Sequence, residues 1–242
     1  MKKNLIAVLA HQDDEIFIFN RLSNFAYKGN IFIFYMTSGM DINLNKNKLS
    51  KRDLESINVL RKLGVKKENI FFLGRNYSIN NNQLYKHLGL ALKILLINLK
   101  KIKGFNTVYT HSLEGGHEDH DACNYLIKAL NFKYNFFNKC YQFSAYHGKN
   151  LFFIFFRVLN PISENGKIFK KKYQFSDRFK FIYLLFFYKS QLNIWVGLYP
   201  FIILKYLFYK NDEIQKIKKS FSIRRPHNGK LLYEKRGYCS YN

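Results

Sequence analysis

Cysteine and proline are scarce in this chain. Its 242 residues contain three Cys and three Pro. Cys123, Cys140 and Cys239 are too few and too scattered for a disulfide scaffold, and none belongs to a CxxC pair, which excludes a zinc finger built on thiolates. No stretch rich in Pro, Gly or Ser marks a domain boundary, so the sequence indicates a single domain.

Long hydrophobic runs are also missing. The longest apolar stretches lie at 151–156, 181–188 and 194–204, and none reaches the roughly 18–20 apolar residues of a membrane span. The first apolar run stops at His11, which predicts a first β-strand and not a secretory signal. We expect a cytoplasmic protein, and the aromatic and basic residues around the late apolar stretches leave open a peripheral contact at the inner face of a membrane.

Acidic residues are few, with 16 Asp and Glu against 40 Lys and Arg, which gives a net charge of +24. The lysines are spread along the chain beside many Asn, Ile, Phe and Tyr, as in a general compositional bias. No helix-turn-helix, RNP or finger signature is present, so specific nucleic-acid binding is not expected. Such a charge still attracts phosphates, anionic lipids and anionic glycans without specificity.

Apolar runs and helical spacings alternate along the first 146 residues. Strands are predicted at 4–10, 30–37, 69–73, 107–110 and 139–145. Helices are predicted at 13–27, 50–63, 82–101 and 117–131, with a polar loop at 41–50. This order predicts an α/β fold with a Rossmann-like, mostly parallel sheet flanked by helices. Residues 147–242 alternate less clearly and are expected to supply helices, a strand near 230–234 and a cap over the same single domain.

Two clusters of His and acidic residues follow predicted strand ends. The first is His11-Gln12-Asp13-Asp14-Glu15, and the second spans residues 114–121 with His117, Asp119 and His120. Packing so many like charges together costs free energy unless cations compensate, and a divalent metal is a common compensator. Either cluster taken alone is also typical of the solvent-exposed first turn of a helix, with no function. Because parallel sheets bind ligands at the carboxyl ends of their strands, the pair together indicates a site.

A catalytic zinc site commonly has three protein ligands and one open position. His11 and Asp14 can supply two ligands from one turn, and one His of the second cluster can supply the third. Asp13 is then free to accept a proton from water that the metal activates. The remaining His can donate a hydrogen bond to an oxyanion or a proton to a leaving group.

The two clusters resemble the motifs of a known family, the PIG-L / LmbE-like zinc-dependent N-deacetylases. His11–Glu15 resembles the family's first motif, usually His-Pro-Asp-Asp-Glu, and 117–120 resembles its His-x-Asp-His motif. Further similar stretches are Thr37-Ser38-Gly39, Arg52 through Glu55 with Leu63-Gly64-Val65, Ser190-Gln191, and 225–229 with 232–234. The resemblance covers most of the chain and implies the LmbE-like fold, with a C-terminal capping region.

Carried over by motif position, the resemblance implies that His11, Asp14 and His120 bind zinc. It makes Asp13 the general base and His117 the group that stabilises the tetrahedral oxyanion. Asp119 is implied to orient a His, and Glu15 to support the turn.

Arg52 is expected to support the site or to contact substrate, and so is His147, which follows the fifth strand. His111 also follows a strand and is expected at the same edge, without a catalytic role. Gln12 departs from the family pattern, where Pro is common. In addition, the loop after the second strand has Asn43–Lys48 where some members carry a substrate-holding Arg, with Lys46 and Lys48 as weak substitutes. We therefore expect the turn geometry or the contacts with substrate to differ from those of the family.

The implied activity is metal-dependent removal of an N-acetyl group from an N-acetylglucosamine-type amino sugar or glycoconjugate in glycan biosynthesis. Two His and one carboxylate suit zinc and also iron(II). The alternatives are an amidase acting on a thiol-sugar or lipid-linked sugar conjugate, and a non-catalytic basic module that binds glycan or nucleic acid. Loops 39–50, 75–82 and 147–175 are expected to choose the substrate, and the sequence does not determine the oligomeric state.

Overall fold

A computed structural model describes most of the chain. The described residues are 3–39, 46–134, 137–153, 155–192, 196–219 and 223–241, with 46–50 described in backbone only. Residues 41–45 of the predicted loop lie outside them, and so do the side chains of Lys46 and Lys48. Among the described residues, no helix is both long enough and apolar enough to cross a bilayer.

A seven-stranded sheet forms the centre of the described structure. In chain order its strands are β1 (Lys3–Leu9), β2 (Asn30–Tyr35), β3 (Ile70–Phe72), β4 (Phe105–His111), β5 (Lys139–Phe143), β8 (Ile168–Lys172) and β9 (Asn211–Lys216). Across the sheet the order is β3-β2-β1-β4-β5-β9-β8. The first five are mutually parallel, whereas β9 and β8 pair antiparallel. The predicted α/β fold with a mostly parallel sheet is therefore confirmed.

Helices cover the sheet and the C-terminal region contributes the rest of the structure. They are α1 (Phe19–Phe25), α2 (Lys46–Lys62), α3 (Leu73–Asn76), α4 (Leu88–Leu99), α5 (Glu118–Lys133), α6 (Phe175–Leu185), α7 (Tyr199–Phe208) and α8 (Leu232–Lys235). A small separate hairpin pairs β6 (Tyr146–His147) with β7 (Arg157–Val158).

The core lies on both faces of the sheet. Along β1, Leu5, Ala7 and Leu9 belong to one buried cluster, and Ile6 and Val8 belong to the cluster on the opposite face. A strand that is buried on both faces needs apolar residues at every position, which explains why β1 is a continuous apolar run. Both clusters are built from sheet and helix residues together.

Several predicted elements differ from the structure. The helix predicted at 13–27 is a 3₁₀ helix at Asp14–Ile18 followed by α1, and the one predicted at 82–101 is a 3₁₀ helix at Leu84–His87 followed by α4. Helix α2 begins four residues before its predicted start.

The strand predicted near 230–234 is wrong, because this segment forms helix α8. There Glu234 Oε2 accepts a hydrogen bond from the backbone N–H of Leu231 at 2.7 Å. A carboxylate at this position satisfies a free N–H of the first helical turn, which favours a helix over a strand.

The sheet order brings the two motifs together. Strands β1 and β4 are neighbours, and each motif begins just after one of them ends. The chain leaves β1 toward β2 on one side and reaches β4 on the other, so the order reverses here. Ligands of open α/β sheets bind at such a point, outside the carboxyl ends of the strands.

A candidate metal centre in an active-site cavity

The first motif is a strained turn. Asp13 has φ 119°, a left-handed conformation that is costly for most residues and less so for Asp. Side chains of the motif hold the turn, since Glu15 Oε2 accepts from the Asp13 N–H at 3.0 Å and Asp14 Oδ2 accepts from the His11 N–H at 2.7 Å. Glu15 also accepts from the Tyr188 hydroxyl at 2.7 Å. The buried carboxylates thus fix the backbone that presents Asp13.

The second motif is the start of helix α5. His117 is its N-cap and its Nδ1 accepts from the Asp119 N–H at 3.1 Å. Two glycines precede it because the backbone passes close to other segments. A Cβ on Gly116 would collide with the Tyr146 carbonyl, and one on Gly115, where φ is +68°, would collide with Leu231. The glycines allow the loop to pack tightly enough for α5 to face the first motif.

Three side chains from the two motifs form a compact donor cluster. Asp14 Oδ2 lies 3.4 Å from His11 Nδ1, and Asp14 Oδ1 lies 3.2 Å from His120 Nε2. One donor atom from each of the three residues lies within 4.8 Å of the others. Donor atoms about 2.0–2.1 Å from a tetrahedral zinc are about 3.3 Å apart, and each histidine lies at about this distance from one of the two Asp14 oxygens.

The electrostatics of the cluster also suit a cation. Burial acts to raise the pKa of Asp14, yet His120, His111 and His11 hold that pKa well below its ordinary value. Burial acts to lower the pKa of His11, and the carboxylates of Asp14 and Asp119 nevertheless raise it to about 10. An ionised carboxylate among imidazoles is a donor set that suits a divalent cation, and such a cation binds His11 in its neutral form.

A second set of donors, His11, His117 and Asp119, is also close enough to share an ion. The Asp119 carboxylate is already engaged, however. It accepts from the backbone N–H of Asn82 at 2.7 Å and of Leu84 at 2.9 Å, and it lies 3.1 Å from His11 Nε2. This contact occupies Nε2 of His11 and leaves Nδ1 facing Asp14, which favours the set that contains Asp14 and His120.

Asp13 lines the cavity beside the donor cluster and contacts an arginine. Arg52 Nη2 donates to Asp13 Oδ2 at 2.9 Å, and the same guanidinium donates to the carbonyls of Gln12 and Gly39. Burial raises the pKa of Asp13 to about 7, although the Arg52 charge opposes the rise. A carboxylate with a pKa near neutrality is suited to accept and return a proton at physiological pH.

His117 has the properties of a neutral hydrogen-bond donor. Burial, together with the charges of His11 and His120, lowers its pKa well below the ordinary value. Because Nδ1 accepts from the Asp119 N–H, the neutral ring carries its proton on Nε2. Since His117 also lines the cavity, a neutral imidazole N–H there can donate to an anionic group.

Gln12, the departure from the family pattern, is fully buried and lies outside the cavity lining. Its amide donates to Asp53 Oδ1 at 2.9 Å, and Asp53 in turn pairs with Arg75. Gly39, with φ +71°, makes room for the Gln12 side chain. Gln12 thus ties the first motif to helix α2.

A cavity of about 350 Å³ opens above the donor cluster. Its described lining consists of His11, Asp13, Asp14, Phe17, Arg52, Asn81, Asn82, His117, His120, Tyr146, Phe156, Gln191, Gly197, Leu198, Arg236 and Tyr238. A larger cleft of about 570 Å³ lies around β5 and β9 and contains none of the motif residues. The smaller cavity is the candidate active site because it holds the donor cluster.

Other predicted residues occupy different positions. Glu55 accepts from the Ser190 hydroxyl at 2.6 Å and so holds the segment that carries Gln191 into the lining. His147 does not belong to the described lining; its Nε2 lies 2.8 Å from the Asn160 carbonyl, and its Nδ1 accepts from the Lys149 N–H.

Motif reasoning gave little weight to two further residues. His111 is fully buried, with Nε2 3.1 Å from Asp14 Oδ2 and its ring stacked on His120 at 3.8 Å. Tyr146 lines the cavity and contacts the His120 ring edge-on at 5.5 Å. The available signal was their position at the carboxyl ends of neighbouring strands, since His111 is the last residue of β4 and Tyr146 follows the end of β5 by three residues.

Comparison with known proteins agrees with this geometry. The sequence profile of PIG-L, described as GlcNAc-PI de-N-acetylase, matches residues 6–131. No curated protein matches the chain significantly.

Solved structures show the same fold at low sequence identity. A deacetylase from the biosynthesis pathway of teicoplanin is 14% identical, with a TM-score of 0.65 over 88% of this chain and 97% of its own. The N,N'-diacetylchitobiose deacetylase from Pyrococcus horikoshii is 19% identical, with a TM-score of 0.62 over 89% and 84%. A conserved protein from Thermus thermophilus, TT1542, is 15% identical, with a TM-score of 0.61 over 90% and 96%.

Proposed function

Because the chain belongs to the PIG-L family, we propose that it is a metal-dependent hydrolase that removes the N-acetyl group from an N-acetylglucosamine-type amino sugar or glycoconjugate. The observation that carries the proposal is the cluster of His11, Asp14 and His120 below a cavity that Asp13 and His117 also line. We assign the whole chain to one deacetylase domain, since β8 and β9 from the C-terminal part complete the sheet begun by β1–β5.

We assign His11 Nδ1, one Asp14 carboxylate oxygen and His120 Nε2 as the metal ligands. Two imidazoles and one carboxylate suit zinc, and iron(II) accepts the same donors. When bound, such a cation acts as a Lewis acid toward an amide carbonyl and makes water nucleophilic near neutral pH. Asp119 then positions the His11 ring through Nε2, and His111 positions the Asp14 carboxylate.

The protein's own groups complete the reaction. Asp13 accepts a proton from the attacking water as the new C–O bond forms at the acetyl carbonyl. His117 donates a hydrogen bond from Nε2 to the oxygen that becomes negative. The C–N bond then breaks, the nitrogen receives the proton from Asp13, and acetate and the free amino sugar leave. Arg52 positions Asp13, while Glu15 holds the turn that presents it.

The test is acetate release from a panel of N-acetylated sugars by the purified, zinc-loaded protein. The panel includes N-acetylglucosamine, its methyl glycoside, N,N'-diacetylchitobiose, an N-acetylated thiol-sugar conjugate and a lipid-linked N-acetylated sugar. We expect release of one acetate per free amine from at least one sugar, its loss with a chelator, and its return with zinc. Release that a chelator does not change would contradict the metal-dependent mechanism.

A lipid-linked substrate is the second candidate, because aromatic side chains are exposed next to the cavity. Phe152, Phe153 and Phe155 are 84%, 80% and 66% exposed and immediately precede Phe156, which lines the cavity. Phe201 of α7 contacts Phe156 edge-on at 6.0 Å and is half exposed. Exposed aromatic residues on a protein of charge +24 suit the surface of an anionic bilayer.

This candidate predicts binding to vesicles that contain anionic lipid. Replacement of both Phe152 and Phe153 by Ser is expected to weaken co-sedimentation about tenfold or more, because each buried aromatic ring contributes about 1.5–3 kcal/mol. A matched Phe132→Ser variant, exposed on the distant end of α5, is expected to bind as the wild type does. Equal binding of all three proteins would exclude this surface as the membrane contact.

A further inference from the structure

The candidate cavity contains an arginine that the proposed chemistry does not use. Two arginines belong to its described lining, and Arg52 is paired with Asp13. Arg236 is half-buried and forms no ion pair with a carboxylate of the described residues. The lining carboxylates, Asp13 and Asp14, already have partners in Arg52 and the histidines. A half-buried guanidinium without a counter-charge is suited to an anion from outside.

Arg236 is held in place by an aromatic wall. The rings of His120 and Tyr146 are 5.5 Å apart, those of Tyr146 and Phe156 are 5.9 Å apart, and the Arg236 guanidinium lies over Phe156 at 5.8 Å. Stacking on an aromatic ring restricts the guanidinium and leaves its edge N–H groups free to donate. The wall therefore links the metal-binding edge of the cavity to a fixed cationic group.

The backbone around Arg236 is anchored to the second motif. The Leu232 N–H donates to the Gly115 carbonyl at 2.8 Å, and the Tyr233 hydroxyl donates to Asp121 at 3.3 Å. The Lys235 ammonium donates to the Leu151 carbonyl at 2.7 Å, in the loop that leads to Phe156. Helix α8 is thus tied to both walls of the cavity, and Arg236 follows it directly.

We propose that Arg236 binds a phosphate group on the N-acetylated amino sugar, so that the substrate is a sugar phosphate or phosphodiester. The proposal rests on the deacetylase function proposed above and names its substrate class. A planar guanidinium donates two parallel hydrogen bonds to phosphate oxygens, which fixes the sugar's orientation as well as its affinity. The charge of +24 adds long-range attraction for such a substrate.

The experiment compares three compounds that carry the same acetamide. They are N-acetylglucosamine 1-phosphate, N-acetylglucosamine 6-phosphate and the neutral methyl N-acetylglucosaminide. Calorimetric binding and acetate release are measured for the zinc-loaded wild type and for Arg236→Met, which keeps a flexible apolar side chain beside Phe156. Arg61→Met, a change at an exposed position of α2, removes the same charge outside the cavity.

We expect Arg236→Met to lower affinity and kcat/KM for at least one sugar phosphate by about 10- to 100-fold, as for a lost charged hydrogen bond. For the methyl glycoside, we expect Arg236→Met to keep the affinity and kcat/KM of the wild type. Arg61→Met is expected to keep the wild-type values for all three compounds. If the phosphate group bound only to the metal ion, Arg236→Met would leave the affinity for both sugar phosphates unchanged. That result would overturn the proposal. An equal loss for the neutral glycoside would also overturn it.

The two proposals can fail separately. If no compound releases acetate but Arg236→Met still weakens sugar phosphate binding selectively, the deacetylase function fails and the phosphate site stands. If acetate is released equally well from all three compounds by both proteins, the function stands and the phosphate site is wrong. The two phosphorylated compounds also tell at which carbon of the sugar the anion is recognised.

Discussion

Replacement of Asp13 by Asn is expected to lower kcat by about 10²–10⁴-fold, the usual contribution of a general base, while bound metal stays at the wild-type level. Asn has the same shape and its oxygen still accepts from Arg52, but it cannot take a proton from water. Asn also tolerates the left-handed backbone at this position, where φ is 119°. The measurements are steady-state acetate release and elemental analysis of the purified variant.

Asp212→Asn is the matched control for this prediction. Asp212 is also a buried carboxylate that pairs with an arginine, Arg21, yet it lies outside the cavity lining and away from both motifs. We expect it to retain activity near that of the wild type. An Asp13→Asn protein that hydrolyses its substrate normally would contradict the assigned role and would favour a binding module over an enzyme.

Replacement of His120 by Ala is expected to abolish stoichiometric metal binding and with it nearly all acetate release. Two donors, His11 and Asp14, then remain of the three that a catalytic zinc site commonly needs. Zinc is also expected to stabilise the wild type against thermal unfolding, by about 4 kcal/mol at a thousandfold excess over Kd, and to leave the variant unchanged. Elemental analysis and thermal unfolding with and without zinc measure both effects.

His117→Ala decides between the two donor sets. If His11, Asp14 and His120 bind the ion, His117→Ala keeps its metal and loses turnover. If His11, His117 and Asp119 bind it, the outcomes for the two variants are exchanged, and our ligand assignment is wrong. His87→Ala, in a 3₁₀ helix outside the lining, controls for the loss of a histidine and is expected to keep both metal and activity.

The motifs could be recognised in the sequence because their chemistry is local. His11 through Glu15 must lie on one turn, and His117 through His120 on one turn of a helix, so their spacing is visible without a fold. The apolar run of β1 likewise shows a strand buried on both faces. The family resemblance built on these motifs is confirmed by the match over residues 6–131.

Other parts depend on contacts between distant segments. Segment 230–234 has the apolar residues of a strand, but Glu234 caps its own first turn and Leu232 bonds to Gly115, so it forms helix α8. Gln12 predicted a change in turn geometry or in substrate contacts, and only the structure shows that its side chain donates to Asp53 in helix α2. His111 and Tyr146 lie beside His120 because the ends of neighbouring strands pack together. This packing imposes no fixed spacing between the residues in the sequence, so no motif reveals it.

The sequence by itself determined the type of fold, the two motifs and the kind of chemistry that their side chains support, because periodicity and local spacing are properties of neighbouring residues. Only the tertiary structure decided which atoms meet. The order β1-β4 places His11 and Asp14 against His120, and α8 brings Arg236 to the same cavity from more than a hundred residues away. Contacts between such distant residues depend on burial and packing over the whole chain, and no short stretch of sequence determines them.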